Sequence, residues 1–293
     1  MTKSSSVADG PPTGEPPTGE PPPGPPWDEP LERAALAFLD FEMTGLDPAA
    51  DRIIQLCVER VQGEVVVERL ASYVQPDVVL PAGGVPVCGI TAGELAGAPR
   101  FGELAEPLLG LLSEAVVVAH AAAHDMAFLR AELARLGRPW IGLHHLDTVP
   151  LARQAFDSLP SHRLVDLAAA LGIAHPTPHR ADADVAALRG LFARVVAELA
   201  PATARDLWRL GHPSRLASAT IVAAAQRAAA GSRPMRVSYR PSGRRPEQLC
   251  FRVTAVRTDL DPPRVLGYLH DTRGRRELRV PRILAIEPWD DEC

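Results

Sequence analysis

Lysine is almost absent from the 293-residue chain: Lys3 is the only one, so arginine carries nearly all of the positive charge. Arginine offers a planar fork that suits phosphate, although a GC-rich coding bias would give the same preference. The four cysteines are far apart and form no Cys-x-x-Cys pair, so we expect neither a zinc site nor a disulfide framework. An apolar signal region and a membrane-length apolar run are also missing. We therefore expect a cytoplasmic protein without membrane partners.

Charge is divided unevenly along the chain. Residues 231–289 contain 13 Arg against 6 Asp or Glu, whereas the rest of the chain contains 18 basic and 30 acidic residues. An acidic body joined to a basic end indicates two modules, of which the second is attracted to an anionic partner. The hydrophobic content of 46% is enough for a sizeable core, and the length allows one large domain or two ordinary ones.

Changes of pattern divide the chain into four parts. Residues 1–28 are rich in Pro and Gly, contain Pro-Pro-Thr-Gly-Glu twice, and are predicted to be an extended, disordered tail. Strand-like runs followed by alternating helices and strands predict an α/β domain over residues 29–200. The Ala-rich residues 201–230 are predicted to be a helical connector, and short strands separated by turns predict a small β-barrel or sheet over residues 231–293.

The first candidate site follows an apolar run from Ala34 to Leu39, which is typical of a buried strand. Asp40 and Glu42 continue this strand, and because side chains alternate along a strand, both point to the same face. Two carboxylates at the end of a buried strand repel each other and resist desolvation, and a divalent cation would relieve both effects. From this segment alone, a pair of solvated acids at a strand end is an equally good interpretation.

Two further acidic clusters favour the metal-site interpretation. Asp125 begins a helix just after the apolar run 115–119, and Asp184 lies in the first turn of the long helix that follows His179. Carboxylates also stabilise helix N-termini, and for Asp182 we favour that role. Because each of the three clusters lies at the tip of an element of an α/β layer, we expect their acids to share one pocket that needs cations.

In this order and spacing, the motifs resemble those of the DnaQ-like exonucleases of the DEDDh group, the family of proofreading subunits, RNase T and oligoribonuclease. The family's Asp-x-Glu motif followed by Thr-Gly is present at residues 40–45, its second Asp matches Asp125, and its His-x-Ala-x-x-Asp motif matches residues 179–184. The chain departs from the family pattern at Ala121, where Asn is usual, and at His124, where Phe is usual. Neither change removes a predicted metal ligand or the predicted base, and their effect is left open.

The resemblance implies an RNase H-like mixed sheet flanked by helices and a metal-dependent 3′–5′ exonuclease. It implies two ions, Mg²⁺ or Mn²⁺, with His179 as the general base for the attacking water. The implied substrate is a single-stranded 3′ end, of DNA ahead of RNA, which Thr44 and Gly45 would contact, and a DNA polymerase or repair complex is an implied partner. The oligomeric state stays open. The predicted metal ligands, which are also catalytic residues, are Asp40, Glu42, Asp125 and Asp184.

Residues from about 217 to 289 resemble the WYL domain, a small Sm- or SH3-like β-barrel found in bacterial regulators. The matching segments are 236–239, 267–269 and 275–283, and Gly267 replaces the Trp of the family name. The resemblance implies that basic residues near the end of the barrel bind nucleic acid, and the candidates are Tyr268, Arg279 and Arg282. Two alternatives stay open: a solvated basic face on a structural barrel, and a nucleic-acid- or nucleotide-binding regulator whose nuclease fold is inactive.

Overall fold

The structure, a computed structural model, describes residues 20–80, 84–85, 88–140, 142–231, 234–241, 246–260 and 262–289. The chain divides into two compact units, with the boundary between Gly211 and His212. Within the described ranges, no helix is both long and apolar enough to span a membrane.

The first unit contains a five-stranded sheet made of β1 (Ala35–Met43), β2 (Ile53–Gln62), β3 (Val65–Tyr73), β4 (Val116–Ala119) and β5 (His145–Asp147). The strand order is β3-β2-β1-β4-β5. The first three strands pair antiparallel, whereas β4 is parallel to both β1 and β5. The mixed sheet predicted from the sequence is therefore confirmed.

Helices cover both faces of this sheet. Their bounds are Ala92–Leu95 (α1), Phe101–Leu112 (α2), Ala123–Arg135 (α3), Thr148–Ala155 (α4), Leu164–Leu171 (α5), Ala181–Leu199 (α6) and Ala204–Gly211 (α7). The odd-numbered apolar residues of β1 belong to one core cluster with side chains of α2 and α3. On the opposite face, the ring of Phe38 meets that of Phe192 from α6, with 5.3 Å between centroids.

Burial on both faces explains why β1 is a nearly continuous apolar run. A strand covered by helices on each side cannot alternate apolar and polar residues, because both faces exclude water. Asp40 and Glu42 are therefore exceptions within a central strand, and an acid in such a position requires a specific reason. The fold itself thus directs attention to the carboxyl end of β1.

Residues 20–28 pack against α7, which the prediction of an extended tail over residues 1–28 did not anticipate. Trp27 is buried, and its carbonyl accepts the backbone N–H of Arg205 at 3.0 Å. The guanidinium of Arg205 binds the same segment through the carbonyl oxygens of Pro21 and Pro22 and the carboxylate of Asp28. A single tryptophan and one arginine supply the apolar contact and the donors that the proline-rich composition lacks. Residues 1–19 of the predicted tail lie outside the described residues.

The second unit consists of α8 (Pro213–Gly231), an antiparallel sheet and a 3₁₀ turn at Val280–Arg282. The strands are β6 (Pro234–Tyr239), β7 (Glu247–Arg257), β8 (Arg264–Leu269), β9 (Arg275–Arg279) and β10 (Ile283–Pro288). Their order is β10-β6-β7-β8-β9, and for the described residues no pairing joins β9 to β10. The small β sheet is present, but the closed barrel is not confirmed.

The predicted connector, residues 201–230, is divided between the two units. α7 belongs to the first unit, whereas α8 belongs to the second and packs on its sheet. Ile221, Ala225 and Ala228 of α8 are buried in one cluster with apolar residues of the strands. An open sheet exposes its apolar face unless another element covers it, and here the Ala-rich helix provides that cover.

Candidate active site

The carboxyl end of β1 presents Asp40 and Glu42 on one face, as the strand period predicts. Asp40 pairs in register with Cys57 of β2, and Glu42 pairs with Gln55. The register shifts directly after Glu42, where the chain leaves the regular ladder. Glu42 is buried, and although Asp40 as a whole is only half-buried, its Oδ2 atom is shielded from solvent.

Asp125 joins this pair from the neighbouring strand connection. β4 runs parallel to β1, so the carboxyl ends of both strands lie at the same edge of the sheet. α3 follows β4 closely and carries Asp125, which is buried, in its first turn. The Oδ1 atom of Asp125 accepts a hydrogen bond of 3.2 Å from the backbone N–H of Phe41. This bond fixes Asp125 between the two acids of β1.

The start of α6 contributes Asp184. The backbone N–H of Ala181 donates to the side-chain oxygen of Gln55 at 3.2 Å, which attaches the helix to β2 opposite Glu42. The Asp184 side chain is only 12% exposed, whereas that of Asp182 is 50% exposed and lies 3.9 Å from Arg69. Two positions along a helix lie on nearly opposite faces, so Asp184 faces the sheet and Asp182 faces outward.

The loop before α6 adds His179 to the cluster. One ligand atom from each of Glu42, His179 and Asp184 lies within 4.8 Å of the other two. His179 has a φ of +62°, in the left-handed region that non-glycine residues seldom adopt. Residues held in this region are concentrated at functional sites, where the surrounding structure maintains them.

Burial and repulsion between charges raise the pKa values of Asp40, Glu42 and Asp125. Burial raises the pKa of Asp40 well above its ordinary value, and further increases come from the charges of Asp125, Asp184 and Glu42. Burial, together with the charge of Asp184, raises the pKa of Glu42 to about 7. Burial raises the pKa of Asp125 to about 8, although the hydrogen bond from Phe41 acts in the opposite direction. Charge interactions therefore connect Asp40 with Glu42, Asp125 and Asp184, and their roles as metal ligands stay a prediction.

The donor set of this pocket fits a hard divalent cation. Asp40 Oδ2 is buried and has no hydrogen-bond partner in the described part of the chain. A buried carboxylate oxygen without a partner is costly, and a cation that takes oxygen ligands removes that cost while offsetting the repulsion among the acids. Carboxylate oxygens are ligands that hard divalent cations accept.

Residues 37–192 match the family model described as RNase_T: Exonuclease. This span covers more than half of the chain and contains all three acidic clusters. The chain belongs to the exonuclease family.

Curated relatives carry names from DNA metabolism. The chain is 30% identical to the DNA polymerase III subunit epsilon of Treponema pallidum over 168 residues. This alignment covers 57% of this chain and 78% of that protein. The chain is 29% identical to the 3′-5′ exonuclease DinG of Bacillus subtilis over 170 residues. This alignment covers 58% of this chain and 18% of DinG. The chain thus spans less than a fifth of DinG and most of the epsilon subunit.

Solved structures of exonuclease I share the fold. One aligns with a TM-score of 0.56 and 18% identity over 87% of this chain and 65% of that chain. The zinc-bound form of E. coli exonuclease I in complex with single-stranded DNA aligns with a TM-score of 0.55 and 22% identity, over 80% of this chain and 54% of that chain. These likenesses confirm the RNase H-like mixed sheet with flanking helices.

His120 holds the turn that leads from β4 to α3. Its Nδ1 lies 2.8 Å from Thr148 Oγ1, and its Nε2 lies 3.0 Å from the carbonyl oxygen of His162. Burial lowers the pKa of His120. His120, the histidine of the second motif, therefore fixes the backbone that precedes Asp125.

The two departures from the family pattern flank this turn. Ala121 has a φ of +60°, and its N–H donates to Asp147 Oδ1 at 3.0 Å. His124 packs edge-on against Phe128, with 5.1 Å between ring centroids, and burial lowers the pKa of His124. An alanine thus occupies a left-handed position that asparagine adopts with less strain.

Thr44 and Gly45 form the turn after β1. The hydroxyl of Thr44 donates to Asp51 Oδ1 at 2.9 Å and accepts the N–H of Arg52 at 3.0 Å. A side chain at Gly45 would collide with the carboxylate of Asp51. Both residues therefore shape the rim of the pocket, and their contact with nucleic acid stays a prediction.

His175 is a functional candidate that the sequence reasoning missed. Its Nε2 is hydrogen-bonded to Asp184 Oδ1, and its side chain is only 6% exposed. In the sequence it is one histidine of a Pro-rich loop, and no spacing rule distinguishes it from a surface residue. The contact depends on how this loop folds back onto α6, which a local pattern cannot reveal.

The remaining candidates, Tyr268, Arg279 and Arg282, belong to the second unit. Tyr268 of β8 is 38% exposed, and Arg252 and Arg275 are its register neighbours on β7 and β9. The guanidinium of Arg275 lies 5.9 Å from the centre of the tyrosine ring. Arg279 is exposed at the end of β9, and Arg282 is half-buried in the 3₁₀ turn.

Proposed function

We propose that this chain is a divalent-metal-dependent 3′–5′ exonuclease that hydrolyses phosphodiester bonds at single-stranded nucleic-acid ends. The observation that carries the proposal is the convergence of acids from β1, α3 and α6 on one edge of the sheet beside His179. A structural role does not account for them, because Asp125, Asp184 and Glu42 all raise the pKa of Asp40, whose Oδ2 has no hydrogen-bond partner among the described residues. The named activity of DinG and the name of the epsilon subunit support the same reaction class.

The four acids would hold two ions, Mg²⁺ or Mn²⁺. Asp40 interacts electrostatically with the other three acids, so it would be one of the ligands, and Glu42 and Asp184 would contribute from the side of His179. Asp125 would contribute from the side of α3. Bound ions would supply positive charge for the attacking and leaving oxygens of the phosphodiester. The protein's own part is to hold these carboxylates in place, because burial and repulsion by themselves favour the protonated forms of Asp40, Glu42 and Asp125.

His179 would remove the proton from the attacking water. Its imidazole approaches Glu42 and Asp184 within 4.8 Å, which is close enough for a water molecule bound beside those acids to reach it. An imidazole takes up protons near neutral pH, where carboxylates bound to cations no longer can. His179 has a left-handed backbone and lies directly before the N-cap of α6.

DNA is the preferred substrate in this proposal. The relatives are named for DNA polymerase III, and one structural neighbour is a complex with single-stranded DNA. A DNA polymerase or repair complex is accordingly the proposed partner class. RNA is the alternative substrate, and discrimination would depend on contacts to the 2′-hydroxyl.

The second unit would hold the strand through its basic sheet face, as the WYL resemblance suggests. An exposed tyrosine between two arginines suits stacking on a base together with contact to the backbone phosphates. Arg279 and Arg282 would extend this contact along the end of β9. Gly267 explains the missing Trp of that family: a Cβ at this position would collide with the carbonyl of Arg252 and the ring of Phe251.

Matched DNA and RNA oligonucleotides labelled at the 5′ end test the proposed function. With Mn²⁺ or Mg²⁺ we expect a ladder that shortens from the 3′ end, faster for DNA, and no cleavage in EDTA. Asp40→Asn should give no ladder while the protein remains folded by circular dichroism. A metal-independent ladder, or an unchanged rate in Asp40→Asn, would refute the proposal. Binding without cleavage by the wild type would favour the regulatory alternative.

A further inference from the structure

His175 contacts the acidic pocket without being one of its acids. It lies between α5 and α6, four residues before His179, and its side chain is nearly enclosed. Its Nε2 is hydrogen-bonded to Oδ1 of Asp184. A carboxylate only accepts hydrogen bonds, so the Nε2 atom carries the proton in this pair. Nδ1 is buried without a hydrogen-bond partner in the described residues, which fits the neutral tautomer with its single proton on Nε2.

The hydrogen bond restricts Asp184 in two ways. It fixes the carboxylate in one orientation, because the imidazole is itself enclosed and cannot follow a rotating partner. It also takes one acceptor site of Oδ1, so that Oδ2 has more of its lone pairs available for a cation. A ligand held by a hydrogen bond from outside the metal site loses less conformational freedom on binding than a free one.

The other acids of the pocket are restrained differently. Asp125 is fixed by the backbone N–H of Phe41, and the two acids of β1 are fixed by the strand itself. Asp184 lies in the first turn of α6. Among the described residues, no backbone group of the sheet donates a hydrogen bond to its carboxylate. His175 therefore supplies for Asp184 the restraint that backbone supplies for Asp125.

We propose that His175 is a positioning residue that orients Asp184 for divalent-cation binding. The inference rests on the proposed function, because it assumes that Asp184 binds a cation. It goes beyond that function by assigning a role to a residue outside the family motif. A purely structural alternative exists, since the same bond also tethers the loop to α6, and the test separates the two roles.

The test is a Mn²⁺ titration of the full chain, followed by the EPR signal of the free ion. His175→Ala removes the donor, and we expect the dissociation constant of the tighter site to rise by about 10- to 100-fold. His175→Gln places an amide N–H near the original Nε2, and we expect it to restore binding to within a few-fold of the wild type. His270→Ala, an exposed histidine of the second unit, is the matched control and should leave binding unchanged.

Stability measured without metal separates positioning from tethering. A structural tether predicts that His175→Ala lowers the unfolding temperature in EDTA and that Mn²⁺ affinity is unchanged in the folded fraction, and this result would overturn the inference while leaving the proposed function intact. If His175→Ala does not fold, His175→Asn replaces it, because its shorter amide does not reach Asp184; unchanged Mn²⁺ affinity there would also overturn the inference. Absence of Mn²⁺ binding by the wild type would overturn both proposals.

Discussion

The two sheets of this chain carry charge in opposite ways. At the edge of the first sheet, four acids are crowded into a pocket, where burial and repulsion raise the pKa of Asp40, Glu42 and Asp125. On the second sheet, arginines line exposed strands, and some pair with acids of other strands: Arg264 of β8 pairs with Glu277 of β9, and Arg276 of β9 pairs with Glu247 of β7. Buried like charges need a specific counterion, whereas exposed like charges are screened by solvent and attract anions loosely.

This difference predicts two kinds of mutational response. Loss of one acid from the pocket should abolish catalysis almost completely, because the remaining acids cannot complete the cation site. Loss of one exposed arginine or tyrosine should weaken binding by a graded amount, since neighbouring groups continue to contribute. Each of the following experiments tests one side of that distinction.

The largest effect is expected from Asp184→Asn compared with Asp182→Asn. Both residues lie in the first turn of α6, but only Asp184 faces the pocket. Charge stabilisation by a bound ion is worth several kcal/mol, so we expect Asp184→Asn to lower kcat by roughly 1,000-fold or more. Asp182→Asn should change kcat less than about threefold, because an exposed ion pair contributes little. Equal losses in the two variants would show that the effect arises from the helix N-terminus and not from the pocket.

The second effect concerns the pH dependence of stability in EDTA. The pKa of Asp125 is about 8 and that of Glu42 about 7 in the folded chain, whereas both are near 4 when unfolded. The folded state therefore holds more protons between about pH 4 and pH 8, and its free energy of unfolding falls as pH rises through this range. We expect the unfolding temperature to drop by several degrees from pH 5 to pH 8.

Two controls isolate the pocket from other titrating groups. Asp125→Asn cannot ionise, so its unfolding temperature should fall less steeply with pH than that of the wild type. Saturating Mn²⁺ at pH 8 should reverse the loss in the wild type, because the cation neutralises the acids that otherwise need protons. An identical pH slope for Asp125→Asn and the wild type would contradict the raised pKa of this residue.

Local periodicity predicted which acids of β1 lie together. The strand period places Asp40 and Glu42 on one face, and this relation depends only on residues two positions apart. The grouping of Asp125 and Asp184 with them was expected because each lies at the tip of an element in an α/β layer. The catalytic role of His179 comes from the family resemblance and stays a prediction.

Features that depend on distant contacts were not predicted. His175 reaches Asp184 only because its loop folds back on α6, and Trp27 is buried only because α7 supplies Arg205. A barrel closes only if its first and last strands pair, and the sequence spacing of the strands does not reveal this pairing. Among the described residues of the second unit, the two edge strands β9 and β10 do not pair. The acids of the pocket could be predicted because they belong to short local motifs. The neighbours of Tyr268 on the basic face could not be predicted, because strand register determines them.

A graded effect is expected on the basic face from Tyr268→Ala in the full chain. Stacking of a base on an aromatic ring is worth about 1–3 kcal/mol, so single-stranded DNA should bind roughly 5- to 150-fold more weakly. Tyr268→Phe keeps the ring and should bind like the wild type. Fluorescence anisotropy with a labelled oligonucleotide, in EDTA to prevent cleavage, measures both. Unchanged affinity in Tyr268→Ala would favour a structural role for the second sheet.

The smallest expected effect is a change in stability at one strained backbone position in each unit. Ala121 has a φ of +60° in the turn before α3, and Arg273 has a φ of +54° in the turn between β8 and β9. The left-handed region costs a non-glycine residue roughly 1–2 kcal/mol, and glycine adds back about 0.5–1 kcal/mol of unfolded-state entropy. Ala121→Gly and Arg273→Gly should therefore each raise the free energy of unfolding of their own unit by about 0.5–1 kcal/mol.

Calorimetry of the full chain tests this last comparison, because each variant should move only the transition of its own unit. Activity then distinguishes the two sites. Ala121 lies four residues before Asp125, and its N–H is bound to Asp147, so a freer backbone at this turn should lower kcat by a few-fold. Arg273→Gly lies in a hairpin of the basic face and should leave kcat unchanged. A stabilised Ala121→Gly with full activity would show that the strain at this turn has no part in holding Asp125.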